Sequence, residues 1–176
     1  MLSRLKEILT TNMPDGKGDR SLKQIVIQCA VIFVALGLIL MLYEFLGGII
    51  VASLGASSCI LFLTPHTNGS RTVNLVGGYL LAAISGIIFG YLHIALIHIF
   101  GFAKVDVVLI VVCASASAFT TFLMACTRLI HPPSAALALG LAADPNCIRT
   151  AAAAILGILI LCSIRYCLRK HLKNLL

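Results

Sequence analysis

The sequence predicts an all-α, polytopic membrane helical bundle: four full spans plus two short segments, re-entrant or broken, with the sign of a two-fold internal repeat. Three observations predict it. Of 176 residues, 60% are hydrophobic and only 11% are charged, less than half the share of about 25% that solvates an ordinary globular surface. Mean hydropathy is +1.08. The basic residues gather towards the ends, as Arg4, Lys6, Lys17, Arg20 and Lys23, then Arg165, Arg169, Lys170 and Lys173. That is the pattern of cytoplasmic flanks facing anionic headgroups. The net charge of +7 therefore points to membrane lipid as the partner, not to nucleic acid. Long uncharged runs with little Ser, Gln or Pro exclude disorder.

The elements follow in order. Residues 1–24 read as a cytoplasmic or interfacial segment. Leu2, Leu5, Ile8 and Leu9 fall on one helical face, which suits a short helix lying in the headgroup layer, and a loop follows at Asn12 to Asp19. With no apolar core and no cleavage site, the stretch is not a signal peptide. The transmembrane region, 25–168, divides into halves at 25–103 and 104–168. A crossing helix needs about 20 apolar residues to span about 30 Å of hydrocarbon. Ile25 to Tyr43 meets that and stops at Glu44. Gly47 to Leu63 is shorter, rich in small residues, and ends at Thr64-Pro65. Thr72 to Ala103 is long enough to cross with tilt. Val107 to Thr127 is a further full span. Leu129 to Ala143 is short, opens near two prolines and stops at Asp144-Pro145. Thr150 to Leu168 is the last span, with Arg165 placed to snorkel to the interface, and 169–176 is a basic cytoplasmic tail. If both short segments cross, there are six crossings in two inverted halves. If both turn back, there are four, in parallel halves. Either way both termini lie on the same, cytoplasmic, side of a cell membrane.

Chemistry concentrates in Thr127-Arg128-Leu129-Ile130-His131-Pro132-Pro133-Ser134-Ala135-Ala136. A double proline cannot sit within a continuous helix, but it can begin one. The pattern places a helix start at His131 to Ser134, after a break near Arg128. At membrane depth, such a start must face protein or water. The amides of Ser134, Ala135 and Ala136 would then carry the positive end of the helix dipole, a ready anion site, with His131 and Arg128 adding side-chain donors. Ser53, Gly55, Ala56, Ser57 and Ser58 form the matching small-residue run in the first half. It serves either helix packing or the opposite wall of a shared site, with Gly55 allowing close approach.

His131-Pro132-Pro133 with the following Ser-Ala-Ala resembles the signature of the HPP family of small integral membrane proteins. Ala52-Ser53-Leu54-Gly55-Ala56-Ser57 is similar to that family's other recurrent stretch, and Asn74-Leu75-Val76-Gly77-Gly78 to the start of its next helix. These blocks cover most of 45–140 in the family's order. Members often carry Pro-Arg just before the asparagine. Here Thr72-Val73 stand there and Arg71 is displaced, which weakens any basic role at that point. The resemblance implies four transmembrane helices and a role in transporting nitrite or a similar small anion, with no known catalytic activity; no cofactor is expected. The candidate substrate-binding set is His131, Pro132, Pro133, Ser134, Ala135, Arg128, Ser53, Gly55, Ala56, Ser57, Ser58, Asn74 and Arg71.

Charge sign agrees. His66, Arg71, Arg128, His131 and Arg149 lie close to the short segments, whereas Glu44, Asp106 and Asp144 sit near span ends. Cation pathways place carboxylates inside spans, so an anion or neutral polar solute is favoured. An imidazole titrates near pH 6.5, about where a coupled proton would be exchanged, and His131 is its best carrier. His93 and His98 lie about 140° apart around a helix, so they make no metal pair and read as hydrogen-bonded packing groups. Tyr79 and Tyr91 read as packing or interface residues. Asn68-Gly69-Ser70 matches an N-glycosylation acceptor. No C-x-x-C pair occurs, so there is no structural-zinc or thioredoxin-like signal, and the cysteines read as packing residues. The small chain suggests a homo-oligomer, with a dimer favoured. Two other readings remain: a ligand-binding membrane sensor without transport, and, last, a membrane enzyme using His131.

Overall fold

The computed structural model describes residues 22–42, 49–100 and 105–175. The expected interfacial helix at Leu2 to Leu9, the loop at Asn12 to Asp19 and the span end at Glu44 lie outside the described residues. Six α-helices follow in order: α1 (Leu22–Leu42), α2 (Ile49–Leu63), α3 (Thr72–Phe100), α4 (Val105–Thr127), α5 (Pro133–Ala143) and α6 (Cys147–Leu168), with a 3-10 turn at Asn68–Ser70 between α2 and α3. No strand occurs among the described residues. Each helix falls within a few residues of the apolar run that predicts it. Three are long and apolar enough to cross a membrane, over Thr72–Ile99, Asp106–Thr127 and Cys147–Leu168. α2 has 15 residues and α5 has 11, only about 22 and 16 Å of helix.

Small residues set the packing. α3 lies against α5 through Gly78, Ala82 and Gly86, the close-approach spacing of membrane helices. A Cβ on Gly78 would stand 2.7 Å from Ser134 Oγ, and one on Gly86 would stand 2.5 Å from Leu141 Cβ. The same contacts fix direction. Gly78 faces Ser134 and Gly86 faces Leu141, so α3 and α5 run the same way. Cys147 lies by Gly90 and Cys162 by Thr72, so α6 runs back against α3. The core is apolar around Leu54, Leu61, Phe62, Leu75, Leu137, Leu141, Ile158 and Leu161, none more than 1% exposed. Phe33, Met41, Ile99, Val107, Ile110 and Phe122 point outward, as lipid-facing side chains do.

The last residues do not hang free as a tail. The amide of Leu175 donates to the Leu63 carbonyl at 2.8 Å, capping α2. Gln28 Nε2 donates to the Lys173 carbonyl at 2.8 Å, and the His66 amide to Asn174 Oδ1 at 3.0 Å. Leu172 and Leu175 are buried. One end of the bundle thus gathers the starts of α1 and α3, the ends of α2 and α6, and this returning segment.

Candidate functional site

α4 ends at Thr127, and Arg128 adopts φ +59°, the positive φ found among described non-glycine residues only here. A left-handed residue just past a helix end closes its last turn; glycine does so freely, whereas arginine pays about 1 kcal/mol or more. The break therefore falls where the sequence places it. The chain passes through Leu129 to Pro132 and begins α5 at Pro133, with Pro132 already helical at φ −52° and ψ −36°. Because Gly78 faces Ser134, this start lies about 9 Å below the first residue of α3, inside the bundle. His131 and Ser134 are both 0% exposed.

One hydrogen-bond chain joins the two short segments. Ser53 Oγ lies 2.9 Å from the Pro133 carbonyl and 2.9 Å from the Tyr79 hydroxyl. The Tyr79 hydroxyl lies 2.9 Å from Ser57 Oγ, which lies 2.9 Å from His131 Nε2. All four bonds can form at once in only one direction. A carbonyl only accepts, so Ser53 spends its single proton on Pro133. Tyr79 must then donate to Ser53, Ser57 to Tyr79, and His131 Nε2–H to Ser57. That fixes the tautomer of a neutral ring, leaving Nδ1 as a bare lone pair. Nδ1 and Ser134 Oγ are buried with no hydrogen-bond partner among the described residues. The backbone of Gly69 comes close to the ring, short of hydrogen-bonding geometry at Nδ1.

A His-Pro-Pro tripeptide whose His131 and Pro133 are buried against a serine-bearing helix accords with the comparison with known families. The family profile described as HPP, transmembrane region, matches residues 17–174. The chain belongs to the HPP transmembrane family. No match is found among curated proteins or solved structures.

In this HPP protein the motif residues divide by role. Ser53, Ser57, His131, Pro133 and Ser134 meet in the buried cluster. Ser58 is buried but its hydroxyl donates to the Gly55 carbonyl of its own helix at 2.7 Å. Ala56, Pro132 and Arg128 are exposed and Ala135 is half-buried. Two expectations need correction. The amides of Ser134 and Ala135 are not free for an anion: they donate at 3.0 Å to the carbonyls of His131 and Pro132. The helical conformation of Pro132 winds the turn tightly enough to bring these carbonyls within reach. Gly55 does not mark a close approach either, because a Cβ there would meet nothing within 4 Å. Arg71 and Asn74 brace the loop instead. The Arg71 carbonyl accepts the amides of Asn74 and Leu75, and Asn74 Nδ2 donates to the Asn68 carbonyl at 2.8 Å.

Sequence reasoning missed two residues of the HPP chain. Tyr79, expected to pack or sit at an interface, is the hub of the cluster at 0% exposure. Its signal was present: a tyrosine next to Gly77-Gly78 in the small-residue stripe, where a buried hydroxyl needs a partner. Arg165, expected to snorkel to the interface, has a specific task at that end of the bundle: it donates to the Ser70 and Pro65 carbonyls. It clamps the loop 64–71, whose Ser70 hydroxyl in turn reaches the Pro65 carbonyl at 2.8 Å. His93, expected to be hydrogen-bonded, has a buried Nε2 without a partner among the described residues.

Proposed function

We propose that this HPP protein moves a small anion such as nitrite across a cell membrane, as a transporter or channel, and carries out no catalysis. The observation that supports this is the buried Ser53–Tyr79–Ser57–His131 cluster with two unpartnered atoms, Ser134 Oγ and His131 Nδ1. A buried polar atom left without a partner costs free energy, so two in one place suggest a ligand. The Ser134 hydroxyl offers an anion one donor. His131 Nδ1 offers a second only when the ring is protonated, because Nε2–H is engaged by Ser57. The reading is therefore of an anion moving with a proton. Arg128, exposed beside the break, draws anions towards it.

In this reading α1, α3, α4 and α6 are full crossings. α2 and α5 are half-length segments that leave the interior towards opposite ends, as in an inverted repeat. Two copies pair into a dimer, and both termini are cytoplasmic. Full-chain proteoliposomes test it with nitrite, nitrate, formate and chloride, with and without a pH gradient. Nitrite or formate flux should rise with a proton gradient in the same direction and collapse in His131→Ala. Flux of none of the four overturns transport. The closed hydrogen-bond chain, with each group in direct contact with the next, favours one second reading, a membrane sensor that binds without transporting. Saturable nitrite binding without flux would establish that reading instead.

A further inference from the structure

A second polar site lies at the end of the bundle where α6 stops and α3 starts. A cavity of about 370 Å³, room for on the order of ten waters, is lined by Arg165, Arg169, His66, Thr72 and Tyr166, with Pro65, Cys162 and Leu172 completing it. Among the described residues no carboxylate lines it. The carboxylates described elsewhere are Asp106, in the first turn of α4, and Asp144, which accepts from the Thr150 hydroxyl and the Asn146 amide. Both belong to the opposite end. The two arginines therefore face the cavity without a counter-ion from the described chain.

The donors are well placed. Arg165 gives one terminal N–H from each nitrogen to the loop carbonyls. A guanidinium has five, so three remain, held on a head fixed by the other two. The Arg169 guanidinium lies 4.5 Å above the Tyr166 ring centroid, which orients its plane. Thr72, whose hydroxyl lies by the Cys162 thiol, begins a helix of 29 residues, so the positive end of a long helix points the same way. His66 Nε2 lies 3.3 Å from the Leu172 carbonyl, and the returning segment holds it at the rim.

We propose that this cavity is a binding site for a phosphate-type oxyanion, gripped by Arg165 and Arg169 over the start of α3. Two fixed guanidinium groups and a helix start match the planar, multidentate recognition that oxyanions receive from arginine. The cavity shares no lining residue with the His131 cluster, although Cys162 in its wall lies near Tyr79. It would bind whether or not anything is transported. The phosphate comes either from solution or from the headgroup of an anionic lipid.

The experiment uses the full chain purified in neutral detergent. One arm titrates inorganic phosphate by calorimetry. The other measures retention of phosphatidylglycerol against phosphatidylcholine by native mass spectrometry. Arg169→Gln is the main variant, because its described partner is one aromatic ring and the fold should survive. Arg165→Lys keeps the charge while losing the fork. Arg149→Gln, about 24 Å away along α6, removes the same charge elsewhere. Saturable phosphate binding assigns a soluble ligand, and preferential phosphatidylglycerol retention without it assigns a headgroup. In either case Arg169→Gln should weaken binding about tenfold or more, the effect of one lost charge-assisted hydrogen bond. Arg165→Lys should weaken it as well, and Arg149→Gln should match the parent. The proposal is overturned if neither probe binds saturably, if Arg169→Gln binds like the parent, or if Arg149→Gln loses as much.

Discussion

Ser134→Ala and Ser57→Ala remove the same atom from two serines that are both 0% exposed, yet they should act in opposite directions. Ser57 Oγ accepts from His131 Nε2 and donates to Tyr79, each at 2.9 Å. Deleting it strands a buried imidazole N–H, a loss of about 1–3 kcal/mol. The lower part of that range applies here, because hydrogen bonds between membrane helices average only about 0.6 kcal/mol. Ser134 Oγ has no partner among the described residues. Deleting it removes a desolvated hydroxyl that gains nothing from the fold, so Ser134→Ala should be neutral or stabilising by about 1 kcal/mol. Both residues are helical, so the small gain in helix propensity on going to alanine cancels in the comparison. Unfolding in mixed micelles against rising SDS should separate the variants by about 1–2 kcal/mol. Nitrite binding to Ser134→Ala should nevertheless weaken, because in the proposed function the hydroxyl is the donor offered to the anion. If Ser134→Ala destabilises the protein as much as Ser57→Ala, the hydroxyl has a structural partner and the ligand argument fails.

Other substitutions probe the frame around the cluster. Gly86→Ala should cost about 1–3 kcal/mol by overpacking, since its Cβ would press on Leu141 Cβ and the Ala138 carbonyl; Gly55→Ala, with open space around it, should be neutral or gain up to about 1 kcal/mol in helix propensity, and the same SDS titration reads both. Arg165→Gln should free the carbonyls of Pro65 and Ser70, seen as faster amide exchange across 64–71 with the exchange of α4 unchanged. Removing residues 171–176 strips the Leu175 cap from Leu63 and the Asn174 contact from His66, and should lower the melting temperature while raising proteolysis after Leu63.

The bundle was legible in the sequence because hydropathy alone decides which segments lie in lipid. The break at Arg128 was legible too, since two prolines four and five residues on forbid a continuous helix. The handling of the backbone donors at that break was not. Whether the amides of Ser134 and Ala135 stay free depends on the conformation of Pro132, helical here, and proline's fixed φ leaves ψ open. The partners of Tyr79 and Arg165 were not legible, for a common reason. Each has an apolar body and a polar end, so its direction follows from which carbonyl or hydroxyl the fold brings near it, a long-range fact. Ser53 and Tyr79 meet across 26 positions, and Arg165 reaches Pro65 across 100.

Those long-range details bear on how selectivity would arise. A helix start inside a bundle exposes amides that bind almost any anion, because backbone donors are the same in every protein. Here the two prolines delete two such donors outright, the next two amides fold back on His131 and Pro132, and the Pro133 carbonyl is occupied by Ser53. The backbone has been taken out of play, and what remains is one hydroxyl and one ring nitrogen. A site reduced to side chains discriminates by protonation, since Nδ1 repels an anion in the neutral ring and attracts it in the charged one. A strong-acid anion such as chloride brings no proton, whereas the weak acids of nitrite and formate carry one readily. Discrimination between them should follow His131: Ser134→Ala should weaken all anions alike, and only changes at His131 or its Ser57 partner should erase the preference for weak-acid anions.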